Sequence, residues 1–256
     1  MVQSVERTLD ILELLATAEN DMTLTELRET LDLPHGTVHR LLGSLIARGY
    51  AAQDQETRHY GPGPKLLEIA ARASHNQRFK LERIAKPILQ ELTSMTGETS
   101  NLVMQRGHMG VYVEQISSPL LVRMFTEVGQ QVPLYCTGSG KALLSGFTNE
   151  QLDSYLATTN LEAWTPKTIT SAEHLREDIV AARSIGFTID DEEREAGVCC
   201  VAAPIFDHTR TCVAAISISG PTTRIDRERA IELGPHIRTL ADRCSVELGY
   251  QTATGT

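Results

Sequence analysis

The stretch Thr23 to Tyr50, TLTELRETLDLPHGTVHRLLGSLIARGY, constrains this fold more than any other segment, because two short helices three residues apart have few ways to bury their apolar faces. Thr23-Leu-Thr-Glu26 reads as a capping box, with a hydroxyl at the helix start and a carboxylate three residues on that reaches back. The helix it opens should run to about Leu31. Asp32-Leu-Pro34 is a break, and Pro34 suits the first turn of a further helix ending near Gly49. At 100° per residue, Val38, Leu41, Leu42, Leu45 and Ile46 share one face, while Gly36, Arg40, Gly43, Ser44 and Ala47 lie opposite. His35, Thr37 and His39 flank the leading end. The pattern admits two readings: a plain αα-hairpin whose Arg40 is a solvated charge, or a helix-turn-helix whose second helix enters a major groove roughly 12 Å wide. In the latter, Arg40 meets a base edge or phosphate, and Thr37, His39 and Ser44 donate to either.

The flanks extend this unit. Ser4 to Thr17 carries Val5, Leu9, Leu12 and Ala16 at helical spacing. After the pair, Tyr50 to Tyr60 reads as strand (YAAQD), turn (QET) and strand (RHYG), a wing from which Arg58 and His59 would reach the backbone or minor groove. Gly61-Pro-Gly-Pro64 punctuates, and Lys65 to Arg72 resumes helical spacing. A boundary falls near Ser74 to Gln77. With roughly 100–200 residues per domain, 256 residues make two. The expected organisation is a winged helix-turn-helix at 1–62, a linker helix at 63–76 and a second domain at 77–256. That second domain should hold a helix from about Phe79 to Met95, strands near Ser100 to Gln105 and Gly110 to Ile116, and capping boxes at Thr148 to Gln151 and Thr170 to Glu173. A last helix should span about Arg227 to Leu248. Strands mixed with helices, without a repeat, indicate a mixed α/β domain and an α+β chain overall.

Charge at first argues against nucleic acid. The net value is −9, and residues 1–75 hold 7 Lys and Arg against 11 Asp and Glu. Distribution reverses the argument, because Leu33 to Gln53 contains no acid at all but does contain His35, His39, Arg40 and Arg48. The five cysteines, at 136, 199, 200, 212 and 244, form no CxxC pair and have no His at zinc-finger spacing, so neither disulfides nor a metal are expected. No run approaches the roughly 20 apolar residues of a membrane span, and the first residues do not read as a leader. A cytoplasmic protein without a membrane partner is expected.

Two features of the second domain carry chemistry. In the strand Ala214 to Ser219, Ala215, Ser217 and Ser219 share one face and Ala214, Ile216 and Ile218 the other. The inward hydroxyls either bond to nearby backbone or donate to a bound carboxylate. Thr137-Gly-Ser-Gly-Lys141 precedes a helical ALLSG, so its N–H groups either form an ordinary cap or hold an anion. It is not a phosphate-binding P-loop, which would need Gly at Tyr135 and Ser or Thr at Ala142, and no cofactor is expected. A rival reading makes Cys200 the nucleophile of a thiol enzyme with Asp190 nearby, but His174, His208 and His236 are scattered outside any partner motif. Adjacent Cys199 and Cys200 point to opposite faces of a strand, which counts against a redox pair.

Thr23 to Tyr50 closely resembles the DNA-binding segment of the IclR family of bacterial transcriptional regulators, and PGPKLLEIA resembles its linker helix. VPLYCTGSGKALL (Val132 to Leu144), DDEEREAGVCCVAAPIFD (Asp190 to Asp207) and AAISISGPTTRI (Ala214 to Ile225) are similar to its effector-binding domain, in the expected order over nearly the whole chain. The resemblance implies a non-enzymatic, ligand-responsive regulator, a repressor rather than an activator, with a GAF-like effector domain. Its partners would be operator DNA, a small organic acid and further copies of itself, as a homodimer or homotetramer. The DNA-binding set is then His35, Gly36, Thr37, His39, Arg40, Ser44, Arg58 and His59. In relatives that bind small 2-oxo acids, the matching pocket positions are Gly138, Ser139, Asp190, Cys200, Ser217 and Ser219, with Leu121, Met124 and Val198 as apolar lining; other relatives sense aromatic acids. Asp190 beside a carboxylate must be protonated or face the ligand's other end. The chain departs from the family pattern at His35 and Gly36, where Lys or Arg followed by Ser is common, so phosphate affinity should be weaker or pH-sensitive. It departs again at Arg58, where a turn Gly is common, and at Pro62, where an apolar residue is common.

Overall fold

A computed structural model describes residues 2–74 and 81–251, the side chains at 70–74 excepted. The chain divides into two compact units, Met1–Gln77 and Arg78–Thr256. The sequence expectations at Gln77 and Phe79 lie outside the described residues.

The first unit contains α1 (Gln3–Thr17), α2 (Leu24–Thr30), α3 (His35–Ala47), β1 (Ala51–Gln53), β2 (Tyr60–Pro62) and α4 (Lys65–Ser74). Its core joins Ile11 and Leu15 of α1, Leu27 of α2, and Val38, Leu41, Leu42 and Leu45 of α3 to Ala51 and Tyr60. The capping box forms: Thr23 Oγ1 accepts from the Glu26 N–H at 3.2 Å, and the Glu26 carboxylate accepts from the Thr23 N–H at 2.7 Å. Asp32 takes φ +48°, so a residue tolerant of the left-handed region makes the turn between α2 and α3. Pro34 is the residue before α3, not inside its first turn, and α3 stops at Ala47. Ile46 is exposed, because it sits roughly 80° from Val38 at the edge of the apolar stripe. The wing strands are shorter than the sequence indicates and leave Arg58 and His59 in the turn before β2. There Asp54 Oδ1 accepts from the N–H groups of Glu56 (3.0 Å) and Thr57 (2.7 Å), and Arg58 takes φ +62° where a glycine would be unstrained.

The second unit is built on one antiparallel sheet in the order β5-β4-β3-β8-β7-β6. Its strands are β3 (Thr99–Arg106), β4 (Met109–Ile116), β5 (Gln131–Pro133), β6 (Thr188–Asp191), β7 (Val198–Phe206) and β8 (Cys212–Pro221). One face carries Leu102, Val201, Ile216 and Ile218 against α5 (Leu81–Thr96) and α9 (Arg227–Glu247). The other carries Val103, Ala202 and Ala215 against α6 (Gly138–Ser145), α7 (Asn149–Thr158) and α8 (Ala172–Ile185). Alternation along β7 and β8 feeds both layers, and Cys199 and Cys200 do fall on opposite sides. Thr148 and Gln151 form their capping box, whereas α8 is capped one residue later than read, by Ser171 accepting from His174, because its first helical bond runs from Leu175 N–H to Ser171 O.

Candidate functional site

On the first unit, the face of α3 away from the core is open: His35, Gly36, His39, Arg40 and Ser44 are exposed and Thr37 is half-buried. Pro34 offers no capping side chain, and its carbonyl accepts from the N–H groups of Thr37 (2.9 Å) and Val38 (3.2 Å). The His35 and His39 rings stack along this edge, 6.4 Å between centroids. Ser44 Oγ donates back to Arg40 O at 3.1 Å, which keeps its lone pairs outward. Arg58 is exposed and His59 half-buried on the wing.

In the second unit, a cavity of about 350 Å³ lies over the sheet at the start of α6. Register explains its floor. Asp190 pairs with Cys200 across β6 and β7, Cys200 with Ser219 across β7 and β8, and Ser219 with Thr99 across β8 and β3, so these side chains form one row on one face. Asp190, Cys200 and Ser219 line the cavity with Ser139, Met124 and Val198. Gly138 does not line it but lies against Cys200, where a Cβ would come within 2.7 Å of Sγ; only glycine lets α6 start this close to β7. Thr137 caps α6, accepting from Gly140 N–H at 3.2 Å.

Two expected pocket residues are displaced. Ser217 belongs to the next row, Thr188–Ala202–Ser217–Asn101, one pleat along β8, and is buried. Leu121 is 97% exposed, because residues 117–130 cross as an irregular segment rather than a strand, and Met124 and Phe125 supply the wall instead. Sequence reasoning missed Arg194, Thr126 and Tyr112, which also line the cavity. Only strand pairing and loop return bring them there.

Burial dominates the electrostatics of the cavity. Burial, then the Glu193 charge, raises the Asp190 carboxyl to about 7, against hydrogen bonds from the N–H groups of Glu193 (2.7 Å) and Arg194 (3.4 Å). Burial, then Asp190, pushes the Cys200 thiol up to about 11, so it stays protonated at neutral pH. Among the described residues, the cavity lining contains no histidine. Lys141, of the GSGK run, turns away into the protein and bridges Glu193 (2.5 Å) and Asp178 (2.8 Å); burial lowers its pKa, but these carboxylates outweigh it and hold the ammonium above its usual value. A larger hollow of about 660 Å³ includes Lys141 and Lys167, both paired with carboxylates, and Arg227, which stands 3.9 Å from Asp191. Among the described residues, no cluster of His, Cys, Asp and Glu is arranged to hold a metal, and no helix is long and apolar enough to cross a membrane.

A winged helix-turn-helix unit joined in one chain to a cavity-bearing α/β unit defines a ligand-responsive transcriptional regulator. Residues 4–55 match the IclR helix-turn-helix domain, and residues 73–246 match the family described as Bacterial transcriptional regulator IclR C-terminal. The chain belongs to the IclR family. It is similar to the acetate operon repressor of Salmonella typhimurium, 36% identical over 250 residues that cover 97% of this chain and 90% of that protein. Likewise, the transcriptional repressor AllR of Escherichia coli is 34% identical over 249 residues, 97% and 91% of the two chains. Among solved structures, the Thermotoga maritima IclR shares 30% identity with a TM-score of 0.65 over 98% of this chain and all of that one. The Agrobacterium tumefaciens repressor BlcR shares 26% with a TM-score of 0.76, over 98% and 99%.

Proposed function

We propose that this chain is a repressor that holds operator DNA through the exposed face of α3 and the wing, and responds to a small 2-oxo acid or similar carboxylate bound over the start of α6. The observation that carries the reading is the row Asp190–Cys200–Ser219 beside the α6 N-terminus: hydroxyl, thiol and backbone donors converge with one carboxyl poised to be neutral. The repressor names of the relatives support the direction of regulation. The domain limits proposed are 1–62, 63–76 and 77–256. Because half-sites one duplex turn apart are about 34 Å from each other, the DNA-binding form is at least a dimer. Exposed Val2, just before α1, and Val5 and Leu9 on it support self-association. Ligand acts by favouring one arrangement of subunits over another.

The test is a thermal-shift panel of glyoxylate, pyruvate and aromatic acids, since a ligand that binds only the native state raises the melting temperature. Stabilisation by pyruvate or glyoxylate that disappears in Ser219→Ala is expected. A shift produced solely by aromatic acids would discard the small-acid assignment and keep the regulator.

A further inference from the structure

Arg194 follows the acidic run Asp190 to Glu193 and lines the cavity. Its guanidinium carbon lies 3.5 Å from the centroid of the Trp164 ring, a cation–π stack between two loops distant in sequence. Both loops are fixed. The Trp164 indole N–H donates to Tyr135 Oη (2.8 Å), which donates to the Glu162 carbonyl (2.8 Å). The hydroxyls of Thr165 and Thr168 donate to the carbonyls of Glu192 (2.7 Å) and Glu193 (2.6 Å), stapling one loop to the other. A stacked guanidinium spends a face on the ring and keeps its in-plane N–H donors. Among the described residues, those donors have no hydrogen bond or ion pair.

Size points the same way. At roughly 30 Å³ per water, 350 Å³ holds about a dozen waters, more room than an acid of two or three carbons fills. We infer that Arg194 forms a second anion subsite, which takes the far carboxylate of a two-headed acid, a 2-oxo dicarboxylate, whose near end lies over Ser139 and Ser219. This rests on the reading that the cavity accepts a 2-oxo acid at its α6 end. Two carboxylates also line the cavity: Glu195 is exposed and screened by solvent, and Asp190, raised to about 7, is only partly ionised at neutral pH.

The experiment is calorimetric titration of wild type, Arg194→Gln and Trp164→Leu with pyruvate and with 2-oxoglutarate, each variant's fold being checked by its unliganded melting temperature. Wild type should bind 2-oxoglutarate about ten- to a hundredfold tighter than pyruvate, as expected for a hydrogen-bonded charge pair. Arg194→Gln should remove that preference while leaving pyruvate affinity within about threefold, and Trp164→Leu should fall between, since the charge remains and its placement is lost. A merely structural Arg194 would weaken both acids alike and would overturn the subsite. Equal binding of the two acids by wild type would also overturn it, leaving the cavity reading intact. Binding of neither acid would remove the cavity reading and the subsite together.

Discussion

Asp190 places an acid among apolar and thiol neighbours, and its pKa of about 7 gives stability a direction with pH. The unfolded side chain releases its proton near pH 3.9, whereas the folded one keeps it to about 7. Between these values the native state binds more protons, so the stabilisation is complete below about pH 4 and is lost as pH rises through 7. Asp190→Asn, which is always neutral and nearly the same shape, should flatten this dependence. Between pH 5 and 8 the wild type should lose about 2–3 kcal/mol relative to the variant in urea unfolding. Parallel pH profiles would show that Asp190 is ionised throughout.

At the scale of elements, α6 positions the site, and its start tolerates no side chain. Gly138→Ala would drive a Cβ against Cys200, at 2.7 Å from Sγ and 3.0 Å from O, so α6 must move off β7. A loss of about 1–3 kcal/mol is expected from such overpacking, together with loss of the pyruvate-induced thermal shift. Unchanged stability and response would mean that α6 is not seated as described. This glycine also shows what a sequence can and cannot reveal. Helices α1 to α3 were legible because their apolar spacing and the Thr23–Glu26 box are local signals. The serines of β8 were assigned to the correct face by alternation alone, but which of them meets the cavity depends on pairing with β7 and β3, which no local pattern encodes. Leu121, placed in the lining with Met124 by the family resemblance alone, falls outside it although both lie on one irregular segment, and Arg194 was missed because Trp164 reaches it only after residues 162–168 fold against residues 192–194.

The whole molecule is acidic, with a net charge of −9, yet the exposed face of α3 carries no acid. A protein of this charge is repelled by DNA at long range, so the proposed binding rests on the acid-free stretch of α3 and its flanks, where Arg40 and Arg48 are exposed together with Arg58 on the wing. Few cations then carry the phosphate contacts, and each one matters to the salt dependence. In fluorescence anisotropy with the operator, log K should fall linearly with log salt, and Arg40→Ala should reduce the slope by about 1 for each bound copy of α3. Affinity should drop about tenfold or more if Arg40 also reads a base edge. The same variant should keep its full thermal shift with the acid, because its lesion lies in the other compact unit. Ser219→Ala should show the opposite pattern, with normal operator affinity in the absence of acid and no response to it. An Arg40→Ala variant with wild-type slope and affinity would show that the exposed face of α3 does not meet the duplex, and the operator contacts would then have to be sought on the wing.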